Sequence, residues 1–161
     1  MADKTNAARI LDNLGIPYEV HIYEVDPDDL SVSNVAAKIN QPVSILYKTL
    51  VLKGDKTGIF VCIIAGDREV DLKKAAKASG NKKVEMIAMK DLLPTTGYIR
   101  GGCTALGMKR NFPVFISEEA MALTYIFVSA GKRGLQLKLT PEGLKKAVNA
   151  TAADISTCMN Q

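Results

Sequence analysis

Residues 47–65 carry the feature that most constrains this chain. YKTLVLK and IFVCII are β-rich runs set on either side of GDKTG, and two such runs joined by a short glycine-bearing segment read as a strand, a turn and a strand. The apolar run Ile59–Ala65 is the longest in the sequence. It falls well short of the roughly 18 residues that suggest a membrane span. Cys62 lies in the middle of it and reads as a core thiol.

Short elements surround the hairpin. Thr5, AARILDNL and Gly15 read as a capped helix with a glycine stop. Pro17 introduces a β-rich stretch, Tyr18–Val25, which Asp26-Pro27-Asp28-Asp29 breaks before a second short helix at Ser33–Ile39. Asp71–Ser79 reads as a helix stopped by Gly80, followed by a strand near Val84–Ile87 and one helical turn, Lys90–Leu93, ended by Pro94. After a glycine-rich stretch, Gly97–Gly107, come three β-like runs: Val114–Ser117, Tyr125–Ser129 and Leu135–Leu139. Thr140-Pro141-Glu142 supplies a cap, an N1 proline and a first-turn acid for a helix to about Asn149. The expected fold is α/β (α+β-like), a mixed β-sheet or barrel-like core with short helices packed around it. With 161 residues and no linker or repeat, residues 1–161 are read as one compact domain.

Several function classes drop out. Cys62, Cys103 and Cys158 are three, far apart and without a CxxC, so neither a disulfide framework nor a zinc site is expected. His21 is the only histidine; it falls in a strand pattern and reads as structural. No metal, cofactor, hydrolase triad or zincin motif is encoded, and the glycines match neither a P-loop nor a dinucleotide fingerprint. The first residues lack the apolar core of a secretion signal, so a cytoplasmic protein without a membrane partner is expected.

Three segments stand out chemically. Lys48 lies in SILYKTLVL (44–52), on the same strand face as Leu50 and Leu52. Two readings stand for it: a lysine whose stem covers apolar surface while its ammonium sits in water, or a fixed cation at a pocket floor. YIRGGCTALGMKR (98–110) contains Gly101-Gly102 flanked by Arg100, Lys109 and Arg110; it is either a connecting turn or a cradle whose exposed amides hold an anion. VSAGKRGLQL (128–137) ends a strand at Ser129 and turns through Gly131, Lys132, Arg133 and Gly134. The formal charge is only +4, yet residues 68–90 hold seven bases against three acids, and residues 19–29 hold five acids and no base. The basic run is either a solvated surface or a phosphate-contacting patch.

Taken together, YKTLVL, DLKKAAKASGNKKVEM (71–86), TGYIRGGCTALGMKR (96–110) and VSAGKRGLQL resemble the YbaK/EbsC-type aminoacyl-tRNA deacylases in order and spacing. This is the trans-editing Cys-tRNA(Pro) deacylase group, related to the editing domain of prolyl-tRNA synthetases. The resemblance implies hydrolysis of the ester between a wrongly attached amino acid and the tRNA 3′ end. Lys48 matches the family's near-invariant lysine, and Tyr23, Thr49, Gly101 and Ser129 fall on positions expected to line the pocket. Gly102 and Arg133 are expected to contact substrate, and Lys73, Lys74, Lys77, Lys109 and Arg110 to contact tRNA. With no enzyme nucleophile evident, water or the substrate's own thiol attacks the carbonyl, and backbone donors at Gly101-Gly102 stabilise the oxyanion. The expected partner is the aminoacyl-tRNA acceptor end, with prolyl-tRNA synthetase a candidate docking partner. Three departures bear on specificity: Thr104-Ala105 replaces a common Ser-Pro, Gln136 stands where several Cys-specific members carry an acid, and the 26–35 segment is a residue shorter. Ala-tRNA(Pro) is the alternative substrate, and a non-catalytic tRNA- or nucleotide-binding regulatory module the alternative class.

Overall fold

A computed structural model describes residues 4–158, with the side chain of Cys158 outside the described set. Thr5 caps α1 (Asn6–Leu14), its hydroxyl accepting from the Ala8 amide, and the helix buries Ala7, Ala8 and Leu11. After β1 (Glu19–Ile22) the acidic turn leads to Ser31, which caps α2 (Val32–Lys38). The hairpin follows as β2 (Tyr47–Gly54) and β3 (Gly58–Ala65), paired in register from Tyr47↔Ala65 to Gly54↔Gly58. Next come β4 (Arg68–Val70), α3 (Leu72–Ser79), β5 (Val84–Met86) and α4 (Met89–Thr96). The chain ends with β6 (Val114–Ser117), β7 (Ile126–Ser129), β8 (Leu135–Leu139), α5 (Pro141–Val148), β9 (Thr151–Ala153) and β10 (Ser156–Cys158).

The expected mixed α/β architecture is present, and the strands are divided rather than closed into a barrel. A five-stranded sheet runs β5-β2-β3-β6-β9, a three-stranded sheet runs β1-β8-β7, and β10 pairs with β4. Within the large sheet β5, β2 and β3 are antiparallel, whereas β6 and β9 are parallel to β3. Phe60 to Ala65 on β3 are all buried, which explains their unbroken apolarity. Val61 and Ile63 pack into one cluster with α1, α5, β7 and β8, while Phe60, Cys62 and Ile64 pack into another with Leu52, Ala75 and Ile155. A third cluster joins Val35 and Ala36 of α2 to Leu46 and Phe127.

Pro94 does not end the helix that precedes it; it lies inside α4. Proline removes one amide donor, but the helix continues through Gly97 N–H to Leu93 O at 2.8 Å and Thr96 Oγ1 to Leu92 O at 2.8 Å. The short strands β4, β9 and β10 have no counterpart in the hydrophobic pattern, because three-residue edge segments are defined by their pairing partners. His21 is structural, its ring edge-on to Phe127 at 5.0 Å. No helix of the described residues is long and apolar enough to cross a membrane.

Candidate active site

An isolated bridge from Leu46 to Phe127 brings the start of β2 against β7. The corner so formed holds a cavity of about 130 Å³. Tyr47, Lys48 and Thr49 of β2 contribute to its wall, with Ser129 of β7 and Gln136 of β8, which are register partners. Gly101 and Cys103 come from the glycine loop, and Leu30, Val32, Val35 and Leu46 make the apolar side. A larger cavity of about 590 Å³ lies beyond the same loop, between its later half (105–113), Ile10 and the end of α5. That cavity takes Arg110 but none of Lys48, Gly101 or Ser129.

Lys48 is half-buried, and Nζ reaches Gly66 O only at 3.5 Å. Burial pulls its pKa below the ordinary lysine value, opposed by the nearby charges of Glu69 and Asp67. The ammonium is therefore positioned but only loosely satisfied by the protein, which suits a cation that receives a ligand oxygen. Gly66 itself leaves no room for a side chain, since a Cβ there would press on Val32 and on Leu46 O.

The two glycines of the loop do different work. Gly101 sits at φ +88°, and its amide has no acceptor among the described residues. The Gly102 amide donates to Ile99 O at 3.0 Å, and a Cβ on Gly102 would come within 3.1 Å of the Lys132 Cα. Gly102 thus lets the two glycine loops touch backbone to backbone, and its N–H is not free for an oxyanion. Arg133 does not line the cavity either: Nε donates to Arg100 O at 2.8 Å, so the guanidinium lies over Gly101 as a strut. Tyr23 is also outside the lining, packed in the α2–Phe127 cluster with its amide on Gly134 O at 2.9 Å.

Cys103 faces the cavity, and burial pushes its thiol up to about 11. It is held as a neutral thiol, a poor nucleophile. Burial likewise raises Cys62 to about 12 within the core. No group of three or more His, Cys, Asp or Glu side chains assembles a metal site among the described residues.

The chain matches the aminoacyl-tRNA editing domain over residues 26–147. It is 49% identical to the "Putative Cys-tRNA(Pro)/Cys-tRNA(Cys) deacylase EbsC" of Enterococcus faecalis, across 96% of this chain and 94% of that protein. The chain belongs to the aminoacyl-tRNA editing family. It is also 33% identical to a stretch of the proline–tRNA ligase of a Sulfurihydrogenibium species, covering 66% of this chain and 18% of the ligase. Its fold matches the crystal structure of "a putative trans-editing enzyme for prolyl tRNA synthetase" with a TM-score of 0.82 at 21% identity, over 97% of this chain and 99% of the other.

Membership of the editing family gives the departures in the loops a structural meaning. Thr104 is buried and its Oγ1 accepts from the Leu106 amide at 3.4 Å, a side-chain turn in place of a proline's rigidity. Tyr98, which the sequence did not single out, braces the same loop. Its hydroxyl donates to Leu106 O, and its ring occupies the space a Cβ on Gly131 would need, 3.2 Å away at Cε1. Gln136 is only 7% exposed, lines the cavity and makes no side-chain hydrogen bond among the described residues. The basic residues divide as well. Lys74 is committed to Asp154 at 3.0 Å and Ser156 O at 3.3 Å, and Lys109 to Pro94 O at 3.3 Å, while Lys73 and Lys77 stand exposed on α3.

Proposed function

We propose that the protein deacylates mischarged aminoacyl-tRNA in trans, with Cys-tRNA(Pro) as its first substrate. One observation carries this reading: Lys48 and Gly101 share a cavity of about 130 Å³ whose lining contains no carboxylate and no imidazole. That volume equals about four water molecules, room for a small amino acid while its nucleoside stays at the mouth. The name borne by the Enterococcus relative supports the choice of cysteine.

With no general base in the lining, the nucleophile comes from the substrate or from water. The substrate's thiolate attacks its own ester carbonyl, the bond from that carbon to the ribose oxygen breaks, and the released oxygen takes a proton. The products are a cysteine thiolactone and free tRNA. Gly101 N–H faces the charge that develops on the carbonyl oxygen. Lys48 anchors the adenosine end, and the small cavity holds thiol and ester close together, which supplies much of the acceleration. Alanine is the alternative substrate: it has no thiol, so water attacks its ester, and Gln136 meets the α-amino group that both amino acids carry with a neutral carboxamide.

Exposed Lys73 and Lys77 are suited to phosphate contact, and so is Arg110 at the rim of the larger cavity. Docking on prolyl-tRNA synthetase, supported by the ligase stretch that resembles this chain, supplies tRNA selection in the cytoplasm. The test is a deacylation panel with Cys-, Ala- and Pro-tRNA(Pro) and Cys-tRNA(Cys), run at two salt concentrations. Release of cysteine from tRNA(Pro), lost in a folded Lys48→Ala variant, is the expected result. Salt-sensitive tRNA binding with every aminoacyl bond intact overturns the reading in favour of a non-catalytic module.

A further inference from the structure

β5 is the open edge of the large sheet. It pairs with β2 and, among the described residues, with no other strand. Val84 packs against the cluster of Leu52, Phe60 and Ala75, whereas Lys82, Lys83, Glu85 and Met86 are exposed. An edge of this kind presents backbone donors and acceptors ready to pair with another strand. The inner bonds fix which residues present them. Asp55 N–H donates to Lys83 O at 3.0 Å and Ile87 N–H to Val51 O at 3.2 Å. Lys83, Glu85 and Ile87 therefore turn their backbone groups towards β2, and Val84 and Met86 turn theirs outward.

We infer that β5 docks onto β5 of a second copy of this chain, antiparallel about a two-fold axis through Val84, so that the two large sheets become one. Symmetric registers differ in which residue lies on the axis. Centring on Glu85 sets that carboxylate against its own copy, and centring on Met86 sets Glu85 against Ile87. Centring on Val84 lets the two Val84 residues exchange N–H···O bonds, and it sets Lys83 opposite Glu85 of the other copy on both sides of the axis.

Lys83 and Glu85 then form the non-hydrogen-bonded pairs, in which Cα atoms approach to about 4.5 Å and side chains lie closest. Neither has an ion-pair partner among the described residues. The charges alternate behind them as well, since Lys83 lies beside Asp55 and Glu85 is registered with Lys53. Across the axis the row reads Asp55 and Lys83, then Glu85 and Lys53 of the second copy. Opposite charges directly across a strand pair stabilise it, and like charges destabilise it. A cavity of about 330 Å³ bounded by Lys53, Asp55, Lys83 and Glu85 leaves room for the incoming side chains. The edge is also held in place beforehand. Asp55 accepts from the Lys82 and Lys83 amides at 2.9 and 3.0 Å, so pairing orders little backbone and costs correspondingly less.

Sedimentation velocity over a concentration series reads the docking. Wild type is expected to dimerise with a Kd on the order of 100 µM, in keeping with an interface below the standard size. Lys83→Glu and Glu85→Lys each set like charges opposite one another, and each alone is expected to weaken the dimer at least about tenfold. An equimolar mixture of the two restores opposite charges at both positions, and so does the double variant Lys83→Glu/Glu85→Lys. Both are expected to associate as wild type does, which also shows that the single variants are folded. In hydrogen exchange the Val84 amide is expected to gain protection as wild-type concentration rises, while the Glu85 amide, which faces β2, changes little. Wild type that stays monomeric at about 1 mM overturns the inference, and loss of tRNA affinity in Lys83→Glu then assigns the edge to RNA instead. A dimer indifferent to both single substitutions overturns it too, as do single variants that fail to associate when mixed.

Discussion

β2 has two ends that could hardly differ more in how their polar groups are met. At the hairpin tip, Asn81 Oδ1 accepts from the Lys56 and Thr57 amides, both at 2.9 Å, and Nδ2 donates to Thr57 Oγ1 at 2.9 Å and Ser79 Oγ at 2.8 Å. Asp55 accepts from the Lys82 and Lys83 amides at 2.9 and 3.0 Å, which holds its carboxyl below the usual carboxylate range. Gly54 is glycine because the Asn81 carboxamide fills the space of a Cβ. At the other end, among the described residues, Lys48 has one long contact, the Tyr47 hydroxyl is buried without a partner, and Gln136 and the Gly101 amide are unmet. Unmet polar groups destabilise a fold. The tip is built for stability, whereas the cavity end holds donors in reserve for a ligand.

Substitutions on one strand can break that comparison. The largest expected effect is from Lys48→Ala, which should lower deacylation by at least about 100-fold while leaving the thermal unfolding midpoint unchanged or raised. A large drop in midpoint would move Lys48 to the structural side. Asn81→Ala should do the reverse, costing about 1–2 kcal/mol in urea denaturation with kcat and KM intact at 25 °C. Gly101→Ala should fall between the two. It forces a Cβ onto a left-handed backbone, at a cost of about 1–2 kcal/mol, and against Arg133 Nε at 3.1 Å, so kcat should drop about tenfold along with a modest loss of stability.

The smallest effect is in the pH dependence. Burial depresses the Lys48 pKa in the folded protein, so between the folded and unfolded values the unfolded chain binds more protons. Stability therefore rises with pH across that window, and below it the cost of the buried charge is fully felt. Lys48→Met should remove this dependence from denaturation curves measured at successive pH values. Activity above background should decline at a lower pH than an exposed lysine would dictate. That alkaline limb should be missing from whatever activity Lys48→Arg retains, since arginine keeps its charge.

The helices and most strands were legible because their signals are local. Thr5 and Thr140 cap their helices through their own side chains as expected, Ser31 and Asp71 do so at helices whose starts the sequence places within one residue, and Val114–Ser117 and Leu135–Leu139 have the expected bounds. β4 and β10 were not legible, because Ser156↔Val70 is a pairing between segments that only the folded chain brings together. In the site, Lys48, Thr49, Gly101 and Ser129 do meet around one cavity. Tyr23, Gly102 and Arg133 lie near it as supports, a distinction that turns on where one amide or one guanidinium points. Tyr98 and Gly66 were missed because each acts through a neighbour distant in sequence.

The sequence by itself determined the hairpin, the helix caps at Thr5 and Thr140, the single histidine, and the four collinear segments that mark the editing family. Those are properties of residue type and spacing along the chain. Tertiary structure alone decided which donors the protein consumes internally and which it leaves for a ligand. It gave the Gly102 amide to Ile99 and left the Gly101 amide without an acceptor among the described residues. It also buried Gln136 beside Lys48 and left Met89, Leu93 and Ile99 in water. The physical reason is that hydrogen-bond satisfaction and burial depend on groups far apart in sequence, and those groups meet only when the start of β2 closes against β7.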